Sequence, residues 1–348
     1  MNKAKTLLCL LVALILLLSF QSIWAAGQKD TEAAETYNFR IGHANIAADN
    51  SALHVTAMIF KELVEEYSDG RIQAEIYPNA QLGSDAEMAD LIVSGALDVF
   101  VTSINLVTNY APRLNALILP YMFESNENFR KARDKLWDDF NDYAVKRANM
   151  RLITMWDSGY RHIMSRKPVR KLEDLKKLKV RVPPSPVMVK MVESWGINPT
   201  PVGWSELFNA MQLGVVDAFE CDNSVLISAR MNEVVKYITN NDHILQVSVA
   251  VMSEETYKKL PNNLKKAVDR ASKQSMPRVD ARSSEILDEA VQVSKKDHDV
   301  VFLGRPEDYD TWAEKARTIW PSFYEDIGEG DVNVGKQFVE KVFKAAGM

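Results

Sequence analysis

Cysteine is scarce in this chain of 348 residues, which contains only Cys9 and Cys221. Cys9 lies inside an apolar amino-terminal segment that we expect to be removed, so the mature protein keeps one cysteine and forms no intrachain disulfide. We therefore expect its stability to come from packing. A lipoprotein needs a cysteine just after such a segment, and none stands there, so lipidation is not expected.

An excess of positive charge is also missing. The chain has 42 Lys and Arg against 47 Asp and Glu, a formal net charge of −5, which argues against nucleic acid as a partner. Its five histidines are scattered, with no pair at metal-ligand spacing, and it has no paired-cysteine motif. The segment Asp297-His298-Asp299 could bind a metal, but its place at the end of a charged helix favours a solvated surface.

Motifs of catalysis are absent from the sequence as well. There is no G-x-S-x-G nucleophile elbow, and the glycines Gly328, Gly330 and Gly335 have the wrong spacing for a dinucleotide loop. The residues give no positive indication of an enzyme, and we predict no cofactor and no metal.

A single long apolar run is present, near the amino terminus. Residues 1–5 are basic, Thr6–Phe20 are mostly apolar, and small residues follow at Ala25–Gly27. This order is typical of a cleaved export signal, and the run is shorter than the roughly 20 residues that span a bilayer. We predict a signal peptide over residues 1–27, a disordered leader over 28–36, and a periplasmic location for the rest.

Apolar periodicity predicts alternating strands and helices. In the first hundred residues of the mature chain, the predicted strands are 38–45, 71–78 and 96–102, and the predicted helices are 51–67 and 85–93. Such alternation is typical of an α/β fold with parallel strands. Later strands are predicted at 150–156, 177–182, 197–202 (an edge strand at best), 215–221 and 243–252. Later helices are predicted at 126–148, 205–212, 261–296 with a bend at Pro277, 311–320 and 335–346.

Arg181 stands near the carboxyl end of the predicted strand 177–182, just before Pro183-Pro184. Strand ends in α/β sheets expose groups to a cleft, and an arginine there can hold a carboxylate through two parallel hydrogen bonds. Many lysines and arginines are nearby, however. On the residues alone, an arginine on a basic surface is the better-supported interpretation.

Six segments together resemble the signature of the extracytoplasmic solute receptors of TRAP transporters, the DctP-like periplasmic binding proteins. They are 69–85 (ending in Pro-Asn-Ala-Gln-Leu-Gly-Ser-Asp), 95–98, 119–123, 159–161, 168–182 and 206–217, and they follow the family's order. The resemblance implies an α/β fold of two lobes, joined by crossing hinge strands and a long helix spanning both lobes. We assign 37–157 and 247–286 to lobe I, and 158–246 and 287–348 to lobe II.

The function implied by this resemblance is capture of an organic anion and its delivery to the membrane permease subunits of a TRAP transporter. The family's selectivity arginine, which binds the ligand carboxylate, corresponds to Arg181. An assisting arginine corresponds to Arg161, and the aromatic residue that stacks on the ligand corresponds to Trp204.

This chain departs from the family after Val216-Asp217, where Gly-Gln-Glu-Asn-Pro is usual. Here Phe219 replaces the glutamine, Glu220 is retained, and Cys221 occupies the place of an asparagine that often contacts ligand. A thiol is a weak hydrogen-bonding group, so we expect a ligand with a carboxylate and an apolar or aromatic body. A buried apolar role for Cys221 is an equal alternative.

The first lobe contributes weaker candidates for ligand contact, which share positions at strand ends or a helix start: His43, Asn45, Glu87 and Asn105. Asn45 and Asn105 are equally typical of turns. Two alternative functions remain open from the sequence. One is a receptor for neutral hydrophobic or lipid-like cargo acting with an accessory periplasmic protein. The other is a scaffold that keeps the fold and binds no small molecule.

Overall fold

The computed structural model describes residues 35–297 and 299–348, with no description of the Asp297 side chain. The predicted signal peptide, most of the predicted leader and the segment Asp297–Asp299, considered above as a metal site, therefore lie wholly or partly outside the described residues. Residues 38–348 form one unit. Within the described chain, every helix is too short or too polar to cross a membrane.

The strands of the described chain form two sheets. In chain order they are β1 (Tyr37–Gly42), β2 (Ile72–Tyr77), β3 (Val99–Ser103), β4 (Met150–Tyr160), β5 (His162–Ser165), β6 (Val180–Val182), β7 (Thr200–Pro201), β8 (Ala218–Cys221), β9 (Tyr237–Thr239), β10 (Leu245–Ser253) and β11 (Val301–Gly304). The first sheet has the order β2-β1-β3-β10-β4, and the second has the order β11-β9-β5-β8-β6-β7.

Helices cover these sheets. The longer ones are α1 (Ala52–Tyr67), α2 (Asp85–Val93), α4 (Asn126–Lys135), α5 (Trp137–Ala148), α7 (Pro186–Ser194), α8 (Trp204–Gln212), α11 (Asn262–Asp297), α12 (Tyr309–Arg317) and α14 (Val332–Ala346). The short ones are α3 (Ile104–Val107), α6 (Leu172–Leu175), α9 (Val225–Ser228), α10 (Glu254–Lys259) and α13 (Tyr324–Ile327), with 3-10 turns at Pro112–Leu117, Met231–Glu233 and Trp320–Phe323.

Both sheets contain parallel and antiparallel strands, which corrects the expectation of parallel strands alone. β1 pairs with β3 in parallel, but β10 inserts antiparallel to both β3 and β4. In the second sheet β6 is parallel to β7 and β8, whereas β5 is antiparallel to β8 and β9. β7 lies at the edge, which suits Pro201, because proline has no N–H to donate to an inner ladder.

Three further predictions differ from the structure. The helix predicted over 126–148 is two helices, because the backbone leaves the helical conformation at Leu136, where φ is −113°. The strand predicted over 150–156 continues to Tyr160. The region after Ser253, in which helices and no strand were predicted, contains β11, which pairs with β9 more than sixty residues earlier in the chain.

The chain crosses between the sheets at two adjacent places. β4 passes into β5 through Arg161, and β9 leads back to β10. The Arg161 backbone N–H donates to the Ile244 carbonyl at 2.8 Å, and Tyr160 pairs with Leu245. Arg161 and Gln246, which lie at these crossings, line the cavity described below.

The long helix α11 contacts elements associated with both sheets. It packs on α1 and β4 of the first sheet, and on α9, which follows β8 of the second. Pro277 lies within this helix without ending it. The last helix, α14, packs on α4 and on Pro112–Leu117, so it joins ranges that the sequence assigned to different lobes. The lobe boundaries themselves stay a prediction.

Candidate ligand-binding site

A cavity of about 250 Å³ lies where strand ends of the two sheets face each other. The first sheet and its helices contribute polar groups from β3, β10 and the start of α2. The second contributes Arg181 from β6, the end of β8 and the start of α8. The lining residues used below are Asn45, Asp85, Thr102, Asn105, Arg161, Arg181, Trp204, Glu206, Cys221, Asp222, Ser224 and Gln246.

Arg181 is the middle residue of β6, a strand held between β7 and β8, and its side chain is only 2% exposed. Its Nε and Nη2 donate to the Val202 carbonyl at 2.9 and 2.7 Å. Among the described residues, no carboxylate lies within ion-pair distance of it. Burial lowers its pKa to about 10; the charge of Glu220 opposes this shift and that of Arg161 adds to it. Arg181 therefore keeps its charge at neutral pH without an ion-pair partner.

Arg161, at the crossing from β4 to β5, has an internal counter-charge. Its Nε and Nη2 donate to the Glu220 carboxylate, with Nη2 to Oε1 at 2.9 Å, and Nη2 also donates to the Glu220 carbonyl at 2.8 Å. Its Nη1 donates to the Gln246 side chain on β10. The geometry thus links one guanidinium to strands of both sheets.

Glu220 is fully buried and His243 Nε2 lies 3.2 Å from its Oε2. Burial alone would raise the pKa of Glu220. The positive charge of Arg161, with hydrogen bonds from His243 and Arg161, outweighs burial and lowers this pKa to about 2. Glu220 is ionised at neutral pH and neutralises Arg161.

Trp204 and Cys221 give the cavity apolar surface. Trp204 is the first residue of α8 and is partly exposed. Cys221, the last residue of β8, is 5% exposed, and its thiol donates weakly to Asp222 at 3.6 Å. Burial raises the pKa of this thiol, so it stays neutral.

Six of the ten predicted site residues line the cavity: Asn45, Asn105, Arg161, Arg181, Trp204 and Cys221. Four lie elsewhere for physical reasons. Phe219 points into the core with no exposure, Glu220 is the counter-ion of Arg161, and Glu87 accepts hydrogen bonds from Ser84 in the capping box of α2. His43 is buried against His54, with their ring nitrogens 3.1 Å apart.

Other polar groups at the cavity, chiefly Asp85 and Gln246, were not among the predicted site residues. Signals for both were present. Asp85 ends the Gln-Leu-Gly-Ser-Asp motif at the first position of a helix. Gln246 and Ser248 are polar alternate residues in the otherwise apolar strand β10, a pattern that indicates an enclosed polar surface.

Asp85 carries a perturbed carboxyl group. Its Oδ1 accepts a hydrogen bond from Thr102 Oγ1 at 3.2 Å. Burial raises its pKa to about 6, opposed by this hydrogen bond and by the charge of Arg181. The carboxyl thus titrates near neutral pH at the cavity wall.

A family model described as "Bacterial extracellular solute-binding protein, family 7" matches residues 43–326. The chain belongs to this family. The receptor is 30% identical over 240 residues to a solute-binding protein of Roseobacter denitrificans, covering 69% of this chain and 73% of that protein. It is 29% identical over 226 residues to the sialic acid-binding periplasmic protein SiaP of Vibrio cholerae, covering 65% and 70%.

Among solved structures, the receptor resembles a TRAP periplasmic solute-binding protein of Rhodobacter sphaeroides, with 32% identity and a TM-score of 0.73 over 89% of this chain and 99% of that one. The resemblance to TRAP solute receptors and the two-lobed α/β fold are thereby confirmed. The family and these relatives are solute-binding proteins, so the expectation that the receptor is not an enzyme is confirmed too. The relatives' periplasmic location agrees with the predicted one.

Proposed function

We propose that the receptor captures an organic anion in this cavity and delivers it to the permease subunits of a TRAP transporter. One observation carries the proposal: Arg181 is buried at the cavity, and the described chain offers it no carboxylate partner. A buried charge without a partner is costly, so a ligand carboxylate that enters the cavity supplies the missing counter-charge. The name of the relative SiaP supports this class of ligand, since sialic acid is a carboxylic acid.

The body of the ligand lies, in this proposal, against the apolar lining. Trp204 offers an aromatic face, and Cys221 and Val225 continue the apolar surface. These contacts support an acid with an apolar or aromatic portion.

Closure of the two lobes accompanies capture in this proposal, with lobe I at 37–157 and 247–286 and lobe II at 158–246 and 287–348. The cavity lining comes from both sheets, so a bound ligand contacts both at once. A ligand favours the closed state only through contacts that the open state lacks. The pair formed by Arg181 and the ligand carboxylate would supply much of that difference.

Removal of the Arg181 guanidinium tests the proposal. Calorimetric titration of refolded, ligand-free protein with a panel of organic acids first identifies the tightest-binding acid. Arg181→Ala should then weaken its binding about 30-fold to several-thousand-fold, corresponding to roughly 2–5 kcal/mol for truncating a buried charge pair. Arg181→Lys should also lose much of the affinity, because a point charge cannot replace the guanidinium fork.

A suitable control is Arg166→Ala, which removes a partly exposed arginine side chain that donates to the Gln212 carbonyl and does not line the cavity. It should bind the acid as wild type does. If Arg181→Ala binds the acid as tightly as wild type does, Arg181 does not bind the ligand carboxylate. Native mass spectrometry of co-purified cargo adds an independent test, because a neutral lipid-like molecule in the cavity would contradict an organic anion.

A further inference from the structure

The two most exposed large apolar side chains of the described chain lie two positions apart on one turn. Leu213 is 78% exposed and Val215 is 52% exposed. They flank Gly214 in the turn that connects the end of α8 to β8. The φ of Gly214 is +71°, a conformation that glycine adopts at no steric cost. The turn Leu213–Val215, called the apolar tip below, therefore presents apolar surface to solvent.

Three strands of the second sheet start or end beside the apolar tip. Ser165 at the end of β5 lies opposite Ala218 at the start of β8, and Ala218 is also the partner of Val180 at the start of β6. Cys221, at the other end of β8, lines the ligand cavity. The apolar tip therefore lies at the end of β8 that is remote from the cavity.

Basic side chains adjoin the apolar tip. Arg166, just after β5, donates from Nη2 to the Gln212 carbonyl at 3.1 Å. Lys179, just before β6, donates from Nζ to the Gly214 carbonyl at 3.3 Å. Both belong to the segment 166–179, which has seven basic residues and two acidic ones in a chain whose formal net charge is −5. The seven are Arg166, Lys167, Arg170, Lys171, Lys176, Lys177 and Lys179.

The carboxylates of this region neutralise only part of the positive charge. Lys176 forms an ion pair with Glu173. Lys177 forms one with Asp174. Asp217, just before β8, adds a third carboxylate, which accepts a hydrogen bond from a backbone N–H. For the other five basic residues of the segment, no carboxylate of the described chain lies within ion-pair distance.

We propose that this end of the second sheet docks reversibly on a membrane that contains anionic phospholipids, with Leu213 and Val215 entering the headgroup region. Lysine and arginine side chains near an anionic lipid surface are attracted to it. Apolar side chains at the bilayer interface gain by leaving water. The apolar tip protrudes instead of forming a groove, which suits a fluid bilayer better than the shaped surface of a protein. The inference does not depend on the proposed ligand, because none of these residues lines the cavity.

Vesicle sedimentation of the wild type tests the proposal without any variant. The receptor is prepared without its predicted signal peptide, because that apolar segment would itself bind vesicles. It is mixed with vesicles of phosphatidylcholine and phosphatidylglycerol in equal amounts, or of phosphatidylcholine alone. Binding to the anionic vesicles should be at least about 10-fold tighter. It should weaken as the salt concentration rises, because ions screen the basic side chains.

Replacement of the apolar tip tests the apolar contribution. Leu213→Ser combined with Val215→Ser should weaken binding to the anionic vesicles at least about 10-fold, because the side chains that leave water are lost. Val332→Ser combined with Val334→Ser is the matched control. These valines also lie two positions apart, at the start of α14, and are 50% and 43% exposed. The control should bind as wild type does.

Removal of two basic side chains tests the charge contribution. Arg166→Gln combined with Lys179→Gln should weaken binding about 25-fold, since each basic residue near an anionic surface contributes roughly 5-fold. Lys266→Gln combined with Lys273→Gln is the control. These are exposed lysines of α11, and no carboxylate of the described chain lies within ion-pair distance of them. Thermal unfolding of each variant shows that it is folded.

An environment-sensitive fluorophore reports entry of the apolar tip into the bilayer. Leu213→Cys can be labelled selectively, because Cys221 is buried. The label should shift to the blue with anionic vesicles, whereas a label on Val332→Cys should not.

Four results would overturn the inference: equal binding of wild type to anionic and neutral vesicles, unchanged binding after replacement of the apolar tip, unchanged binding after removal of Arg166 and Lys179, or no spectral shift at position 213. A receptor that ignores vesicles but binds purified permease subunits through these residues would also overturn it, because the partner would then be a protein.

Discussion

At the scale of single residues, two buried arginines differ in whether the protein supplies their counter-charge. The Arg161 side chain binds Glu220, whereas within the described residues the Arg181 side chain binds the Val202 carbonyl and no carboxylate. The family motifs identify Arg181 from the sequence, but they do not identify the pairing of Arg161 with a glutamate 59 positions later. That pairing depends on the antiparallel register of β5 and β8, where His162 lies opposite Cys221. Register between distant strands is not visible in a single sequence.

Loss of the Glu220 charge should destabilise the fold. Glu220→Gln leaves Arg161 buried without a counter-ion, and breaking such a buried pair costs roughly 3–5 kcal/mol. Urea unfolding of ligand-free protein measures the change in the free energy of unfolding. Glu233→Gln is the control, because it removes the carboxylate of an exposed pair with Arg230 and should change stability by about 0.5 kcal/mol or less. Similar small effects of both variants would show that the buried pair carries little stability.

At the scale of elements, periodicity predicted most helices and strands because their apolar faces repeat over several turns or pleats. The bounds of α2 were predicted to the residue, since Ser84 and Glu87 form a capping box there. The break at Leu136 was missed because no glycine or proline marks it. β11 was missed because four residues carry little periodicity and its partner strand is remote.

The meeting of β4 with the long helix α11 depends on Gly159. Its φ is +76°, and a Cβ there would lie 2.6 Å from Leu287 Cδ2 on α11. Gly159→Ala should therefore cost about 1–3 kcal/mol, from the left-handed backbone and from displacement of Leu287. Gly70→Ala is matched in backbone, with φ +73° and no atom within 4 Å, so it isolates the backbone cost. Thermal or urea unfolding of both variants measures the loss of stability. Equal losses in the two variants would mean that Leu287 moves aside at no measurable cost.

At the scale of the whole molecule, the free energy of unfolding at acid pH depends in part on His43. Burial, together with the charge of His54, lowers its pKa to about 4, against the partial opposition of a hydrogen bond at Asn45. The unfolded chain, with a histidine pKa near 6.5, binds more protons between these values. The contribution of His43 to stability is therefore lost as pH falls from about 6.5 towards 4.

Comparison of wild type with His43→Gln measures this contribution. The free energy of unfolding of wild type should fall more steeply between pH 7 and pH 5 than that of the variant, by up to roughly 1.4 kcal/mol per pH unit below the unfolded pKa. The difference between wild type and variant is the informative quantity. Both proteins contain Asp85, whose raised pKa makes the fold more stable as pH falls and so opposes the effect of His43. Parallel pH profiles for the two proteins would contradict a buried neutral His43.

The two crossings between the sheets also determine how the molecule can move. Because Tyr160 pairs with Leu245 and Arg161 bonds to Ile244, the crossings form a two-stranded antiparallel ribbon rather than two separate linkers. A ribbon of this kind bends across its strands, but its interstrand hydrogen bonds fix the register and resist sliding. We therefore expect the ribbon to favour rotation of one sheet against the other about an axis across its strands. In the proposed capture, a ligand would set the angle of that rotation, and the ribbon would set its direction.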